Sequence, residues 1–466
     1  MAIENNVQQI VSPVDGSIVA QREIATDSQI EQVLTRGQTA RRQWIATPIA
    51  ERAQIVERMV QISEANASEI ATELSWQMGR PVRYTPNEIL RGLAERSRHM
   101  ASIAAESLGE IAVPQTAGFR KFLRREPIGT VLVIAPWNYP YLTAINSIVP
   151  ALLAGNTVII KHASQTLLCA ERLVAAFTAA GLPEGVLQFV HTTHRAVARM
   201  IGDSRINFVV FTGSVGGGRE IERAAAGRFI GVGTELGGKD PSYVRADADL
   251  VYSIAENVDG SFFNSGQSCC AIERIYAHRD VYDEFVEGFV AATKSYILGN
   301  PLDPQTTIGP MVNASAATFV RQQITDAKAQ GARALVGEEH FTASLTGSPY
   351  LGPTVLVDVN HSMSVMRDES FGPVIGIMRV NSDQEAISLI NDSAFGLTAS
   401  VWTRDENAAV SLGEQIETGT VYMNRCDYVD PVLVWTGVKD TGRGVALSHL
   451  GFDSYTQLKS FNLKQP

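Results

Sequence analysis

Two short apolar runs decide the fold class, Val131-Leu132-Val133-Ile134 and Thr157-Val158-Ile159-Ile160-Lys161. Both are rich in β-branched residues, as expected for strands that are buried on both faces. A helical pattern follows from Thr166 to Ala180, and after a further helix comes Phe208-Val209-Val210-Phe211. This alternation predicts a doubly wound parallel sheet, which binds nucleotides beyond the carboxyl ends of its strands.

A second α/β series begins near residue 238, and a chain of 466 residues is long enough for two such units. Helices are predicted near Asp280–Leu298 and Asn313–Gly331, and strands near Ile275, Leu335, Thr354 and Val374. We therefore predict an α/β fold with two doubly wound domains. The first is a nucleotide-binding domain (1–109 and 129–237), the second a catalytic domain (238–430), and 110–128 and 447–466 are predicted to contain strands outside both.

The N-terminal part reads as a hairpin around Asp15-Gly16 followed by helices to about residue 108. One helix should stop at Gly79, and Thr85-Pro86-Asn87-Glu88 has the pattern of a capping box that opens the next. No chemistry is assigned to these helices. We expect them to cover one face of a sheet.

Composition excludes several classes of function. A net charge of −10 opposes binding to nucleic acid, and no apolar run is long enough to span a bilayer. The N-terminus lacks the pattern of a secretion signal. Four cysteines (169, 269, 270 and 426) are too few for a disulfide framework in a chain of this length, so a cytoplasmic protein with reduced thiols is expected. No metal-ligand pattern is present, and His191 and His194 are interpreted as helix-capping residues.

Two reactive groups stand on separate glycine-flanked segments. Cys269 follows Gly266-Gln267-Ser268, and Glu235 precedes Gly237-Gly238. A thiol and a carboxylate in such positions suit covalent catalysis followed by attack of water. Asn138, at the end of an apolar run, offers an amide donor for an oxyanion. Taken singly, each has an ordinary reading: a buried cysteine, a surface acid and a turn residue.

Together these stretches resemble the aldehyde dehydrogenase superfamily, and the similarity runs nearly end to end. The matching motifs are Pro136-Trp137-Asn138-Tyr139-Pro140, Glu235-Leu236-Gly237-Gly238-Lys239 and Gly266-Gln267-Ser268-Cys269. The resemblance implies that Cys269 is the nucleophile and that Asn138 and the Cys269 N–H bind the oxyanion. It also implies that Glu235 activates water, so that the product is a free carboxylic acid. The other three cysteines are interpreted as structural.

The cofactor implied by this resemblance is NAD or NADP. Phe211-Thr212-Gly213-Ser214 runs into three glycines and a helix, although without the family the glycines could mark only a flexible loop. The positions that match the family's cofactor contacts are Trp137, Lys161, Ser164, Gly213, Ser214, Gly218, Glu369 and Phe371. Ser164 stands where many NAD-using relatives have a glutamate, so NADP⁺ is expected to be used at least comparably to NAD⁺.

The substrate is less well specified. By resemblance the pocket is lined near Tyr139, Thr143, Asn146, Phe263, Ser268 and the loop 424–435. Polar residues in this set favour a small or polar aldehyde or a semialdehyde. Arg425 could meet a distal carboxylate or pair with Asp427. In the resembled family, the strands at the positions of 110–128 and 447–466 form an arm used in subunit association, which implies a homodimer or homotetramer. Competing hypotheses are a cofactor-free cysteine esterase and a non-catalytic binding protein.

Overall fold

The computed structural model describes residues 6–465. Its N-terminal part is a hairpin followed by helices, as predicted. These elements are β1 (Val7–Val11), β2 (Ile18–Glu23), α1 (Asp27–Ala46), α2 (Ile49–Ala65), α3 (Ala67–Met78), a π-helical turn (Glu88–Leu93) and α4 (Ala94–Ser107). β1 and β2 are antiparallel. α3 ends at Gly79, which is left-handed at φ 87°. A Cβ at this position would lie only 2.8 Å from the carbonyl oxygen of Pro310.

The predicted capping box at Thr85 and Glu88 is wrong. The helix starts as a π-helical turn without a side-chain cap at its N-terminus. Glu88 instead reaches across to the next helix, where Oε1 accepts the N–H groups of Tyr141 (3.0 Å) and Leu142 (3.1 Å). Its Oε2 lies 2.5 Å from Arg80 Nη1. A buried carboxylate gains more from a guanidinium and two unpaired amides than from capping its own helix.

The middle of the chain alternates strands and helices at the predicted places. The elements are β3 (Ile111–Ala112), β4 (Phe119–Pro127), β5 (Thr130–Ala135), α5 (Pro140–Leu153), β6 (Thr157–His162), α6 (Leu167–Ala179), β7 (Leu187–Phe189), α7 (His194–Gly202), β8 (Ile206–Thr212), α8 (Val215–Ala225) and β9 (Gly231–Glu235). β5 and β6 are fully buried, which explains their uninterrupted apolar sequence.

The second α/β series follows at once. Its elements are β10 (Asp240–Val244), α9 (Leu250–Phe262), a 3₁₀ turn (Phe263–Gly266), β11 (Ile272–His278), α10 (Tyr282–Thr293), α11 (Ala314–Ala329), β12 (Arg333–Val336), β13 (Thr354–Val357), α12 (Ser364–Arg367), β14 (Val374–Val380), α13 (Asp383–Asn391), β15 (Phe395–Gly396), β16 (Thr398–Trp402), α14 (Glu406–Gly413), β17 (Thr420–Met423), β18 (Val438–Lys439), β19 (Gly442–Arg443) and β20 (Thr456–Lys464).

The first large sheet has the order β19-β9-β8-β5-β6-β7, and its strands from β9 to β7 are parallel. The chain leaves β5 toward β6 and β7, and then returns to the opposite side of β5 as β8. This reversal opens a crevice at the carboxyl ends of β5 and β8, where doubly wound sheets bind ligands.

The second large sheet has the order β12-β13-β14-β11-β10-β16-β17 and is parallel apart from the edge strand β12. β9 ends at Glu235 and β10 begins at Asp240, so a few residues connect the two sheets. β3, β4 and β20 form a separate three-stranded antiparallel sheet. The mixed α/β architecture with two parallel sheets is as predicted. Among the described residues, no helix has both the length and the apolar character needed to cross a membrane.

Candidate active site

A cavity of ≈ 820 Å³ opens at the carboxyl ends of β5 and β8, a size that suits a small-molecule site. With the exception of Gly218, every predicted site residue lines it. These residues are Asn138, Glu235 and Cys269, together with Trp137, Lys161, Ser164, Gly213, Ser214, Glu369 and Phe371. The fold therefore brings together residues that lie more than two hundred positions apart in the sequence.

Cys269 is half-buried on the loop between the 3₁₀ turn and β11. Two residues of that turn are left-handed, Asn264 at φ 52° and Ser265 at φ 58°, a conformation that surrounding contacts must hold. Gln267 anchors the loop, since its Oε1 accepts the Val312 N–H at 2.8 Å. Gly238 presses against it from the other side: a Cβ there would lie 2.2 Å from the carbonyl oxygen of Cys269. The second glycine of the Glu-Leu-Gly-Gly motif is thus required by close approach.

Donors for an oxyanion stand beside this thiol. The Asn138 side chain lines the cavity, and its Nδ2 donates to the carbonyl of Gln267 at 3.3 Å, which orients the amide. Within residues 6–465, the backbone N–H of Cys269 donates to no protein acceptor. An amide and a backbone N–H beside the thiol can receive the charge that develops on an attacked carbonyl oxygen.

Glu235 lies at the last position of β9, on the cavity wall. Burial raises the pKa of this carboxyl group to about 7, while the hydroxyl of Thr212 and the charge of Arg96 act to lower it. Thr212 Oγ1 donates to Oε2 at 3.2 Å. A carboxylate with a pKa near neutrality is well matched to general-base catalysis.

Arg80 connects the N-terminal helices to this site. Its guanidinium pairs with Glu88, donates to the carbonyl of Asn138, and donates through Nε to Asn264 Oδ1 at 3.1 Å. The side chains of Arg80 and Glu88 are 2% and 0% exposed, so the pair is sealed from water. The same guanidinium lies 4.3 Å from the ring centroid of Tyr139. This buried pair fixes the loop of Asn138 against the turn that precedes Cys269.

The cofactor side of the cavity is formed by strand ends and by α8. Ser214 caps α8 by accepting the Gly217 N–H at 3.2 Å, and the first N–H groups of the helix have no acceptor within it. Gly217 lines the cavity, whereas Gly218 packs behind it, where a Cβ would lie 2.7 Å from Leu236. Lys161 Nζ faces the cavity without an acceptor among the described residues. Burial lowers the pKa of Lys161 to about 8.

These residues fit a dinucleotide. A helix N-terminus suits a pyrophosphate, and an unpaired ammonium suits a ribose hydroxyl or a phosphate. The facing wall is held by a second buried ion pair, Lys239 Nζ to Glu273 Oε2 at 2.7 Å. Glu273 also accepts the N–H groups of Ser370 (2.8 Å) and Phe371 (2.9 Å), which fixes the ring of Phe371 5.6 Å from that of Trp137.

Glu369 occupies the same wall. Its Oε1 accepts the N–H of Gly238 at 3.0 Å, and a Cβ at Gly237 would lie 2.4 Å from Oε2. Burial and the nearby charge of Glu273 raise the pKa of Glu369 to about 7, while the Gly238 N–H and Lys239 lower it. The two glycines after Glu235 therefore admit both the Cys269 loop and this carboxylate.

The remaining cysteines and histidines differ from Cys269 in their surroundings. The Cys269 thiol and burial raise the pKa of Cys270 well above its usual value, and burial does the same for Cys169 and Cys426. The predicted histidine cap is wrong, because Thr193 caps α7 by accepting the Ala196 N–H at 3.2 Å. His194 and the adjacent Arg195 instead line the cavity.

At the substrate end, the lining residues include Tyr139, Thr143, Asn146, Ser268 and Trp435, as predicted. Phe263 does not line the cavity and packs against Tyr84, with ring centroids 5.2 Å apart.

Arg425 meets neither expectation: it is exposed, and its Cζ lies 3.6 Å from the ring centroid of Tyr428. Sequence reasoning missed Arg96 on α4, which lines the cavity together with Asp427. No motif surrounds Arg96, and only its place among apolar helical positions could have signalled burial.

The geometry places a cysteine thiol in a cavity of a doubly wound α/β fold that suits a dinucleotide, and the comparisons with known proteins identify its family. A model described as the aldehyde dehydrogenase family matches residues 2–461. The chain therefore belongs to the aldehyde dehydrogenase family, as its motifs predicted. It is an NAD(P)-dependent oxidoreductase that acts on aldehydes.

Similar proteins of known identity cover almost the whole chain. An aldehyde dehydrogenase of Paenarthrobacter nicotinovorans is 35% identical over 97% of this chain and 98% of its own. The NAD(P)⁺ succinate semialdehyde dehydrogenase Sad of Escherichia coli is 32% identical, with 97% and 96% covered. The solved structure of succinic semialdehyde dehydrogenase from Streptococcus pyogenes with NADP⁺ superposes with a TM-score of 0.93 at 27% identity, covering 97% and 99%.

Proposed function

We propose that this enzyme oxidises a small polar aldehyde or a semialdehyde to the free carboxylic acid through a covalent intermediate on Cys269. The observation that carries the proposal is that Cys269, Glu235 and Asn138 line one cavity with the residues suited to a dinucleotide. In this proposal, residues 1–109 and 129–237 form the nucleotide-binding domain, and residues 238–430 form the catalytic domain that supplies the nucleophile.

The chemistry follows from the position of each group. The Cys269 thiolate attacks the aldehyde carbon, and the resulting oxyanion is bound by Asn138 Nδ2 and the Cys269 N–H. The nicotinamide ring, when bound, supplies the hydride acceptor. Loss of hydride from the thiohemiacetal carbon leaves a thioester on Cys269. Glu235 then removes a proton from water, which attacks the thioester and releases the acid and the thiolate.

We propose that NADP⁺ is used at least comparably to NAD⁺. Lys161 and Ser164 line the cavity at the end of β6, and Arg195 lines the same cavity from the start of α7. A hydroxyl and two cations can bind a 2′-phosphate, which a carboxylate at position 164 would repel. The names of the Escherichia coli and Streptococcus pyogenes relatives are consistent with this choice.

The proposed assembly is a homodimer or a dimer of dimers. β20 pairs with β4 along its whole length and leaves its other edge open, and Leu458 (53%) and Leu463 (45%) are exposed on its opposite faces. An exposed apolar strand at a sheet edge is usually covered by a partner. Light scattering at micromolar concentration should give a multiple of 50.5 kDa, and a monomeric mass would contradict the proposal.

The experiment that tests the reaction is an absorbance screen at the wavelength of reduced nicotinamide. A panel of neutral, hydroxylated and carboxylated aldehydes is offered with NAD⁺ and NADP⁺ in parallel, and the product is identified as the free acid by chromatography. Formation of reduced cofactor only when coenzyme A or phosphate is added would contradict the hydrolytic step. No signal with any aldehyde would sink the proposal.

A further inference from the structure

We infer that Arg96, with Asn146 and Thr143, forms an anion site inside the cavity that selects aldehydes carrying a terminal carboxylate. This inference rests on the proposed function and narrows its substrate class. Sequence reasoning had offered Arg425 for such a role, but Arg425 stacks on Tyr428 and is exposed. Arg96 is only 7% exposed and lines the same cavity as Cys269.

Only one of the three guanidinium nitrogens of Arg96 donates to acceptors among the described residues. Its Nη1 donates to the carbonyl of Leu142 (3.2 Å) and to Asn146 Oδ1 (3.1 Å). Among the described residues, neither Nε nor Nη2 has an acceptor, and neither atom is fully buried. In residues 6–465, no carboxylate lies within ion-pair distance of this side chain, although other buried arginines have acceptors on more than one side. The free Nε–Nη2 edge is the one that binds a carboxylate through two parallel hydrogen bonds.

Asn146 adds to the same site. A guanidinium can only donate, so the atom of Asn146 that faces Arg96 must be the amide oxygen. Its Nδ2 group is therefore turned away from Arg96, and it has no acceptor among the described residues. Thr143 lies one helical turn before Asn146 on α5, so the two side chains share a face. Three donor groups thus line one end of a cavity whose other lining includes Cys269.

The alternative is that Arg96 only balances nearby acids. Burial and the nearby charge of Asp259 raise the pKa of Asp427 to about 7, while Cys270, Arg80 and Arg96 act to lower it. Burial raises the pKa of Glu235 to about 7 as well, while Glu88 and Glu95, which also act on Arg96, already bond to Arg80 and to the Tyr428 hydroxyl. A structural role predicts equal losses for all substrates. An anion site predicts a loss confined to carboxylated ones.

The test compares 4-oxobutanoate with its methyl ester, which has nearly the same length and lacks the charge. In Arg96→Met, kcat/KM for the acid should fall by about tenfold or more, as expected for loss of charge-assisted hydrogen bonds, while the ester changes little. Arg96→Lys keeps the charge without the fork and should lie between. Arg425→Met is the matched control and should change neither substrate. Equal losses for acid and ester, or a loss carried by Arg425→Met, would overturn the inference.

A binding measurement separates this inference from the proposed reaction. Succinate carries a carboxylate at each end and cannot be oxidised by this chemistry, so its binding by calorimetry requires no turnover. Wild type and Arg425→Met should bind succinate alike, and Arg96→Met should bind it about tenfold more weakly. If no aldehyde is oxidised but succinate binding depends on Arg96, the reaction fails and the anion site stands. Succinate binding that is unchanged by Arg96→Met would refute the site even in an active enzyme.

Discussion

At one end of the cavity the functional side chains follow the ends of β5, β6, β8 and β9, whereas at the other they come from α4, α5 and the loop 424–435. The first set stands on a parallel sheet, whose strand ends are held in register by backbone hydrogen bonds. The second set depends on contacts between side chains that are distant in sequence. The groups on the strand ends can therefore stay fixed while the helices and the loop vary the substrate.

Two buried ion pairs hold segments that line the cavity. Lys239–Glu273 holds the wall with Phe371, and Arg80–Glu88 holds the loop of Asn138. Such pairs contribute little net stability, because desolvation offsets their attraction, but removing one partner leaves an uncompensated buried charge. We interpret both pairs as positioning devices for the residues that contact substrate and cofactor.

The largest effect should come from Cys269, the proposed nucleophile, which lies on the loop before β11 between the two sets. Cys269→Ala removes the only group in the proposal that can form the thiohemiacetal, and turnover should fall by about 10³-fold or more. Binding of reduced cofactor, followed by its fluorescence, should persist. Cys426→Ala is the matched control, because Cys426 lies outside the cavity lining. Ordinary turnover in Cys269→Ala would remove the mechanism.

Glu235 should act later than Cys269. In Glu235→Gln the first turnover should still release a burst of reduced cofactor, followed by a steady state that is slower by about 10²-fold, since water is no longer activated. Stopped-flow absorbance measures both phases. A variant that loses the burst along with the steady state would show that Glu235 is needed before the thioester forms.

Most of the sheet end could be predicted from sequence. Short-range patterns predicted β5, β6 and β8, and the two glycines after Glu235 stand where the Cys269 carbonyl and Glu369 approach the backbone closely. The substrate end could not be predicted as well. Arg96 carries no motif, and its entry into the cavity depends on how α4 packs against α5. The failed capping box has the same cause, because Glu88 finds its partners more than fifty residues away.

The Arg80–Glu88 pair can be removed to test whether it positions the loop of Asn138. Replacing both residues, as Arg80→Met with Glu88→Gln, avoids leaving one charge buried alone and releases the loop of Asn138. We expect kcat to fall by about 10²-fold through loss of alignment, with cofactor affinity little changed. Arg58→Met, which removes a half-buried contact to Ala180 O far from the cavity, is the control. An unchanged kcat in the folded double variant would show that the pair has no positioning role.

The pH dependence should report Glu235. Its pKa is raised to about 7, and the base works only when deprotonated, so the steady-state rate should fall as pH drops through 7. The expected slope is about tenfold per pH unit well below the pKa. Glu369 and Asp427 also titrate near 7, so the assignment requires a variant. In Glu235→Gln this limb should flatten, and its persistence would assign the titration to another group.

The smallest effect should come from the ribose end, where Ser164 replaces the acid of many NAD-using relatives. A carboxylate at this position would accept hydrogen bonds from a 2′-hydroxyl but repel a 2′-phosphate, for which Lys161 and Arg195 in the same cavity lining offer positive charge. Ser164→Glu should therefore raise KM for NADP⁺ by about tenfold while changing KM for NAD⁺ much less. Ala175→Glu adds the same charge at an exposed position of α6, outside the cavity lining, and should change neither constant. If the wild-type enzyme already rejects NADP⁺ by about a hundredfold, equivalent to ~2.7 kcal/mol, another residue selects the ribose and Ser164 does not.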